Sequence, residues 1–322
     1  MKSVEEFHLV QLGNGVFSIR SAAHRETFHP VIGPVAEAEA LYVRPLRLSE
    51  RTRLCSGEFV IWDIGLGAAA NALTVLRGAR QAGKSLRLVS FDSTLEPLRF
   101  AWQHAPALGY FEGYEETIRE LINHGHVRFV DYGHTVTWQL HMADFPSWIT
   151  QGTCSKGASP VGESANTAAG LLGAELTTNS GSESIGDPVE VAPPDAILFD
   201  AYSPAKNPDM WTAPLFAAIY KRLDPNRPCA LATYSRSTLL RVTLLMAGFY
   251  VGRGPATGQK EETTLAANVP GLIDELLGQE WLRRARHSTS AEPLWEPVYR
   301  QEPLSERSWK RLREHPQFLK DT

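Results

Sequence analysis

The chain has 322 residues, of which 43% are hydrophobic and 21% charged, and this composition is typical of a folded protein with a sizeable core. With 32 Lys and Arg against 36 Asp and Glu the formal charge is −4, which excludes a global basic field for holding a long polyanion. The start has no apolar signal region and no run of about 18 apolar residues occurs, which argues against secreted and membrane-spanning proteins.

Strand and helix patterns alternate along most of the chain. The strand-like stretch 16–20 and the helical stretch 35–43 come first. The later strands are predicted at 59–64, 86–92, 138–145, 195–202, 229–234, 249–254 and 262–269, and the later helices at 69–83, 95–108, 114–125, 214–223 and 237–248. Short apolar strands that alternate with helices predict an α/β fold, a mostly parallel sheet covered on both faces.

One long stretch, residues 150–194, breaks this alternation. It is rich in Gly, Ser, Thr and Ala and nearly empty of aromatic residues, which predicts a flexible surface insertion. Because strand patterns flank it on both sides, the insertion interrupts the domain without ending it. We therefore expect an N-terminal segment at 1–57, a core at 58–271 and a helical C-terminal extension at 272–322.

A glycine turn follows the first core strand and opens the next helix. It contains Asp63, Gly65, Gly67 and Asn71 within the string DIGLGAAAN. Glycines here let the backbone turn tightly and approach a nucleotide-like ligand. Taken as G-x-G-x-x-A, the string is a weak dinucleotide fingerprint, and a turn that binds no ligand is the alternative.

Three carboxylates lie at predicted strand ends around this turn. Asp92 closes the next strand, where it would accept both ribose hydroxyls of the adenosine that NAD and S-adenosylmethionine share. We expect Asp63 to hold the cationic amine of a methionine group, and Asp144 to accept from an adenine amino group. Because Asp63 would repel a pyrophosphate, the pattern favours S-adenosylmethionine, although such acids also serve as solvated residues or helix caps.

A polar loop, DAYSPAKNPDMW at 200–211, follows the strand after the insertion. Ligands of open α/β sheets bind outside the carboxyl ends of the strands, so this loop and the glycine turn should face one crevice. Two prolines restrict the conformations of this loop, so it loses little entropy when it is ordered. A loop of this kind is suited to positioning a substrate. The alternative is a stiffened loop that only packs its Trp on the domain.

Several strings together resemble the methyltransferase domain of the MnmC-type enzymes, which modify the wobble uridine of tRNA. They are DIGLGAAAN, the strand-end Asp92, HMADF, DAYSPAKNPDMWT, ATYS with RSTLLRVTLLMAGFYV, and GQKEETTLA. The upstream ETFHPVIGPVAEAEALYV resembles the family's N-terminal Glu-x-x-His segment. The resemblance spans about residues 15–270 apart from the insertion, and SPAKNPDMW is its most specific part.

The resemblance implies a class I S-adenosylmethionine-dependent methyltransferase, Rossmann-like, with a seven-stranded sheet whose last strand is antiparallel. It implies methylation of the 5-aminomethyl group of the wobble uridine with S-adenosyl-L-methionine as cofactor. Asp200 matches the family's first Asp of D-x-x-S-P, and we expect it to hold the ammonium that forms during transfer. The expected substrate-binding residues are Glu26, His29, Tyr202, Lys206, Asn207, Trp211 and Lys260, with Trp211 placed to stack on a base.

The chain also departs from the family pattern. The family's turn commonly carries a third glycine or a Thr-Gly pair, whereas this chain has Ala68, Ala69 and Ala70, which add methyl groups where the cofactor should pass. About fifty residues follow position 271, too few for the FAD-dependent domain of the bifunctional members. We therefore expect a standalone methyltransferase, with a separate enzyme that supplies the aminomethyl intermediate. We also expect the protein to be monomeric and cytoplasmic, with tRNA as its substrate and no membrane partner.

Other features leave alternatives open. Basic clusters at 282–287 and 309–315 would contact phosphates locally, or they lie on the solvent face of a helical tail. Three widely spaced cysteines, Cys55, Cys154 and Cys229, fit neither a disulfide framework nor a metal site. The rival functions are methylation of a small-molecule amine and an NAD-dependent oxidoreductase activity.

Overall fold

A mixed eight-stranded sheet lies at the centre of the structure, a computed structural model that describes residues 6–80, 85–151, 191–258 and 261–319. Its strands are β4 (Phe59–Ile64), β5 (Leu86–Asp92), β6 (His126–Asp131), β7 (His134–Met142), β8 (Ala196–Phe199), β9 (Ala230–Thr233), β10 (Tyr250–Gly254) and β11 (Thr263–Ala267). A separate small N-terminal sheet contains β1 (Phe7–Gln11), β2 (Phe17–Ser21) and β3 (Glu26–Thr27). The order in the large sheet is β10-β11-β9-β8-β4-β5-β7-β6. Strands β9, β8, β4, β5 and β7 run parallel, so their carboxyl ends meet at one edge.

All seven strands predicted for the large sheet are present, and β11 is antiparallel to both of its neighbours, as expected for the last strand. The count of seven is wrong by one, because β6 adds an antiparallel edge strand beside β7. Tyr132 and Gly133 join the two strands with φ of 47° and 92°, the conformation of a two-residue hairpin turn. Strand β6 alternates exposed and half-buried residues and has no continuous apolar run, so the search for buried strands missed it.

Helices cover both faces of the large sheet. They are α1 (Pro34–Ala38), α2 (Leu48–Leu54), α3 (Ala70–Gly78), α4 (Glu96–Gln103), α5 (Ala105–Leu108), α6 (Glu115–His124), α7 (Phe145–Gln151), α8 (Ala213–Arg222), α9 (Thr238–Ala247), α10 (Gln279–Arg286) and α11 (Glu306–Arg313), with a π-helical turn at Glu39–Val43. Strand β4 supplies both cores: Phe59 and Ile61 pack on one face, and Val60, Trp62 and Ile64 on the other. This alternation is what a strand buried on both sides produces.

The terminal segments pack on opposite faces of the sheet. The N-terminal strands join the core that contains α1 and α3. The two C-terminal helices join the other core through residues such as Trp281 and Leu312, so the helical pattern predicted after residue 272 corresponds to α10 and α11. The predicted insertion falls almost wholly on residues 152–190, outside the described part of the chain. Within the described part, the helices are too short or too polar to cross a bilayer.

Candidate functional site

A cavity of about 620 Å³ opens at the carboxyl ends of the parallel strands. One wall is the glycine turn between β4 and α3, together with the loops after β5, β7 and β8. The rest of the lining comes from the small N-terminal sheet and the loops beside it, residues 20–30, and from Glu37 of α1. Open α/β sheets bind their ligands at this edge, so the cavity is the candidate site.

The glycine turn adopts the conformation that its sequence predicts. Gly65 and Gly67 have φ of 92° and 53°, in the left-handed region that glycine enters without strain. Ala69 also has a positive φ, 61°, immediately before α3. Of the three alanines, Ala68 and Ala70 line the cavity, whereas Ala69 is fully buried and does not. The extra methyl groups at two of the three positions therefore border the space that a cofactor would use.

Two of the three predicted cofactor carboxylates line the cavity. Asp92 accepts hydrogen bonds from the backbone N–H groups of Gly67, at 2.9 Å, and Ser93, at 2.7 Å. This bond to Gly67 fixes the glycine turn against the end of β5, and the carboxylate remains part of the cavity lining. Asp144 is exposed, lines the cavity and accepts from the backbone N–H of Ser147 at the start of α7. Both carboxylates can accept hydrogen bonds from the hydroxyl and amino groups of a nucleoside.

The third carboxylate, Asp63, is fully buried and does not line the cavity, so the prediction that it touches a methionine amine is corrected. Its Oδ2 accepts from the Ser90 hydroxyl at 2.8 Å, and its Oδ1 has no hydrogen-bond partner among the described residues. Burial raises the pKa of Asp63 to about 7; the Ser90 hydrogen bond opposes the rise, and the charges of Asp200 and Asp92 add to it. Asp63 therefore stays partly protonated at neutral pH.

We expect Asp63→Asn to stabilise the protein increasingly as the pH rises. An unfolded Asp loses its proton near pH 4, whereas folded Asp63 keeps it up to pH about 7, so the wild type loses stability between these values. The Asn variant lacks this loss, and its advantage should grow to at most about 4 kcal/mol and level off above pH 7. Urea unfolding at several pH values checks this, with the exposed Asp209→Asn as control. An advantage equal at pH 5 and pH 8 would contradict it.

Asp200 lies just beyond β8 and lines the cavity. Asn71, at the start of α3, donates from Nδ2 to Asp200 Oδ2 at 2.6 Å, and its Oδ1 is buried without a partner among the described residues. Asn71, predicted to contact the cofactor, therefore lines the cavity and also orients Asp200. The backbone carbonyl of Asp200 lies against Gly65, where an added Cβ would come within 2.6 Å. The glycine turn and the Asp200 loop form one unit.

Three carboxylates of the cavity lining, Asp200, Glu26 and Glu37, lie around Tyr234, and we call this part of the cavity its acidic end. Burial raises the pKa of Tyr234 well above its ordinary value, and the negative charges of Asp200, Glu26 and Glu37 raise it further. Burial also raises the pKa of Tyr42, and the charges of Asp200, Asp63 and Glu37 act in the same direction. The lining also holds Arg20, which donates to the Thr27 hydroxyl, so the three carboxylates outnumber the one guanidinium and the region favours a cationic ligand.

The small N-terminal sheet contributes the predicted Glu26 and His29 to this acidic end. Glu26 accepts from the Ser203 hydroxyl at 2.6 Å, which ties the sheet to the loop after β8. Tyr202 also lines the cavity, with its ring stacked on His24 at 3.8 Å between centroids. The sequence interpretation missed His24, Glu37 and Tyr234. Glu37 could have been found from the sequence, because it is a charged residue on the apolar face of a helical pattern.

Of the other predicted substrate residues, Asn207 lines the cavity, and Trp211 and Lys206 do not. Trp211 is fully buried, donates from Nε1 to the Tyr202 carbonyl at 2.8 Å and packs on Phe199, so it cannot stack on a base and that prediction is corrected. Asn207 lines the cavity, whereas Lys206 is exposed and is not part of the lining. Lys260 lies outside the described residues.

The residues present fit S-adenosylmethionine by the chemistry of their polar groups. The cavity offers carboxylate acceptors at both ends, which suit ribose hydroxyls and a cationic ligand, and a glycine turn for close backbone approach. Within the described ranges no three His, Cys, Asp or Glu side chains are grouped as metal ligands. Of the cysteines, Cys55 and Cys229 are free, and Cys154 lies outside the described residues.

Comparison with known proteins identifies similar sequences and a similar structure. Residues 186–269 match a family model described as S-adenosyl-L-methionine-dependent methyltransferase. The tRNA 5-methylaminomethyl-2-thiouridine biosynthesis bifunctional protein MnmC of Pseudomonas paraeruginosa is 39% identical over 83 residues, which is 24% of this chain and 12% of that protein. MnmC of Pseudomonas syringae is 36% identical over 108 residues, 31% of this chain and 16% of that protein. The crystal structure of MnmC2 from Aquifex aeolicus covers 97% of this chain and 84% of that one, with a TM-score of 0.62 and 21% identity.

These matches confirm the resemblance to the MnmC-type methyltransferase domain and the class I methyltransferase fold. The matched stretches cover only 12% and 16% of the two bifunctional relatives. The family model supports S-adenosylmethionine as the cofactor, in agreement with the sequence prediction.

Proposed function

We propose that this chain is an S-adenosylmethionine-dependent N-methyltransferase that acts on the 5-aminomethyl group of the wobble uridine in tRNA. The observation that carries the proposal is the set of three carboxylates, Glu26, Glu37 and Asp200, at one end of the cavity. An amine acceptor is an ammonium ion when it binds and again once the methyl group has been transferred, and this end of the cavity stabilises both cations. The names of the MnmC relatives support a tRNA acceptor, and with it a cytoplasmic location.

Each wall of the cavity has a part in the proposed reaction. Bound S-adenosylmethionine would supply an electrophilic methyl group, with Asp92 on the ribose and Asp144 at the adenine. Asp200, oriented by Asn71, stabilises positive charge as it develops on the acceptor nitrogen. Glu26, held by Ser203, orients the acceptor from the small N-terminal sheet.

The test is methylation of tRNA that carries 5-aminomethyl uridine, with nucleosides analysed by mass spectrometry. We expect the wobble nucleoside to gain one methyl group in the presence of the purified chain and S-adenosylmethionine. Calorimetry should show micromolar binding of S-adenosylmethionine and none of NAD, because the acidic lining disfavours a pyrophosphate.

Two controls separate the alternatives. Fully modified tRNA should gain no methyl group, because its acceptor nitrogen is already methylated. A panel of small-molecule amines tests the rival acceptor class. Methylation of the panel with no transfer to undermodified tRNA would overturn the tRNA assignment, and binding of NAD in place of S-adenosylmethionine would overturn the methyltransferase assignment.

A further inference from the structure

A histidine and a carboxylate are paired in the wall of the acidic end of the cavity. His29 Nδ1 lies 3.9 Å from Glu37 Oε2, and the two side chains are only 10% and 11% exposed. Both residues line the cavity, His29 from the loop after β3 and Glu37 from α1. His29 has φ of 48°, a left-handed conformation that costs energy for a non-glycine residue. The fold therefore holds this imidazole at the cavity wall at an energetic cost.

The proposed acceptor presents a protonation problem, and this step rests on the proposed function. An alkyl amine is an ammonium ion at neutral pH, by analogy with Lys, whose ordinary pKa is about 10.4. An ammonium nitrogen has no lone pair and cannot attack a methyl group. The acidic end of the cavity stabilises the ammonium further, so binding alone opposes the chemistry. At neutral pH, a group in the cavity that takes this proton would therefore speed methyl transfer.

We propose that His29, paired with Glu37, is the proton acceptor that converts the bound ammonium into the nucleophilic amine. In this step an N–H bond of the acceptor breaks, its electron pair stays on the amine nitrogen, and the proton goes to His29 Nε2. Nδ1 faces Glu37, whose carboxylate stabilises the imidazolium that forms. The proton then leaves to solvent through the open cavity.

The other ionisable groups around His29 have different roles. The charged or titratable groups that face this end are Arg20, His24, Glu26, Asp200, Tyr202 and Tyr234. Asp200 accepts from Asn71, Glu26 accepts from Ser203, Arg20 donates to Thr27, and His24 is stacked on Tyr202. The hydroxyl of Tyr234 donates to the Ala201 carbonyl at 3.0 Å. His29 Nδ1 lies within ion-pair distance of the buried Glu37 carboxylate, and this pairing assigns the proton acceptor to His29.

The experiment compares wild type, His29→Gln and Glu37→Gln in single-turnover methylation of undermodified tRNA between pH 6.5 and pH 10. At pH 7 we expect His29→Gln to be about 100-fold slower, the size typical of a lost general base. Near pH 10 roughly 30% of the amine is already neutral in solution, against less than about 0.1% at pH 7, so the deficit should fall to about threefold or less. A purely structural role for His29 predicts the same deficit at every pH, and that result would overturn the proposal.

The Glu37→Gln variant tests the pairing itself. At pH 7 its methyl transfer should be several-fold slower than that of the wild type, and the deficit should shrink toward pH 10, because no carboxylate then stabilises the imidazolium that forms. A Glu37→Gln rate equal to that of the wild type at pH 7 would overturn the pairing, and this test stands if His29→Gln folds poorly. His8→Gln is the matched control: His8 lies 3.7 Å from Glu6 but is 52% exposed on β1, outside the cavity, and its rate should stay within twofold.

Failure of the inference and failure of the proposed function give different results. A wild type that methylates no tRNA amine at any pH contradicts the proposed function. An active wild type, with a His29→Gln deficit that is constant across pH, contradicts only the role of His29.

Discussion

Asp200→Asn is expected to slow methyl transfer about 100- to 1,000-fold, which corresponds to about 3–4 kcal/mol of activation free energy. The substitution keeps the size of the side chain but removes the negative charge from the acidic end of the cavity. In the wild type, the Asn71 amide donates to Asp200 Oδ2 and holds the carboxylate in place. Removing this positioned charge therefore weakens the stabilisation of the transition state. Affinity for S-adenosylmethionine should change little, because Asp92 and Asp144 lie on other loops.

Single-turnover rates on undermodified tRNA, corrected for the folded fraction, measure this effect. Asp274→Asn is the control, since Asp274 is 83% exposed and pairs only with Arg47 among the described residues. Its rate should equal that of the wild type. If Asp200 were only structural, the variant would have lower thermal stability and an unchanged rate per folded molecule. A rate within threefold of wild type would remove Asp200 from the mechanism.

The parts of the fold that the sequence predicted are those that local patterns determine. Strand β4, with six buried residues in succession, and helix α9, which Ser237 caps and Gly248 ends, follow directly from composition and spacing. Strand β6 was missed because an edge strand alternates polar and apolar residues and resembles an exposed loop. A strand that is buried on one face has a weaker hydrophobic pattern than a strand that is buried on both faces.

The site was predictable only where it lies on one continuous motif. The sequence located the glycine turn and the loop at 200–211, but it could not show that Asn71 bonds Asp200, because 129 positions separate them. The same holds for Ser203 and Glu26, 177 positions apart. Trp211 was misplaced because a Trp beside a polar loop has the same local pattern whether it faces the cavity or the core. Only packing against Phe199 and Tyr234 decides between the two.

Among single alanine substitutions in the glycine turn, Gly65→Ala should lower the stability of the protein most. An added Cβ would lie 2.6 Å from the Asp200 carbonyl oxygen, closer than such atoms approach, and φ of 92° disfavours any L residue. We expect the free energy of unfolding to fall by about 2–4 kcal/mol, the sum of a left-handed penalty and an overpacking cost. Urea denaturation measures the loss.

A graded series of alanines tests whether the Asp200 contact causes the loss. At Gly67 the φ of 53° is also left-handed, but the nearest atom to a Cβ is in the Phe28 ring at 3.5 Å, an ordinary contact, so about 1–2 kcal/mol is expected. At Gly57 no atom lies within 4 Å, and the change should stay within about 0.5 kcal/mol. Equal losses at Gly65 and Gly67 would mean that backbone conformation alone matters. A larger loss at Gly65, with slower methyl transfer per folded molecule, would mean that the glycine turn positions Asp200 through direct contact.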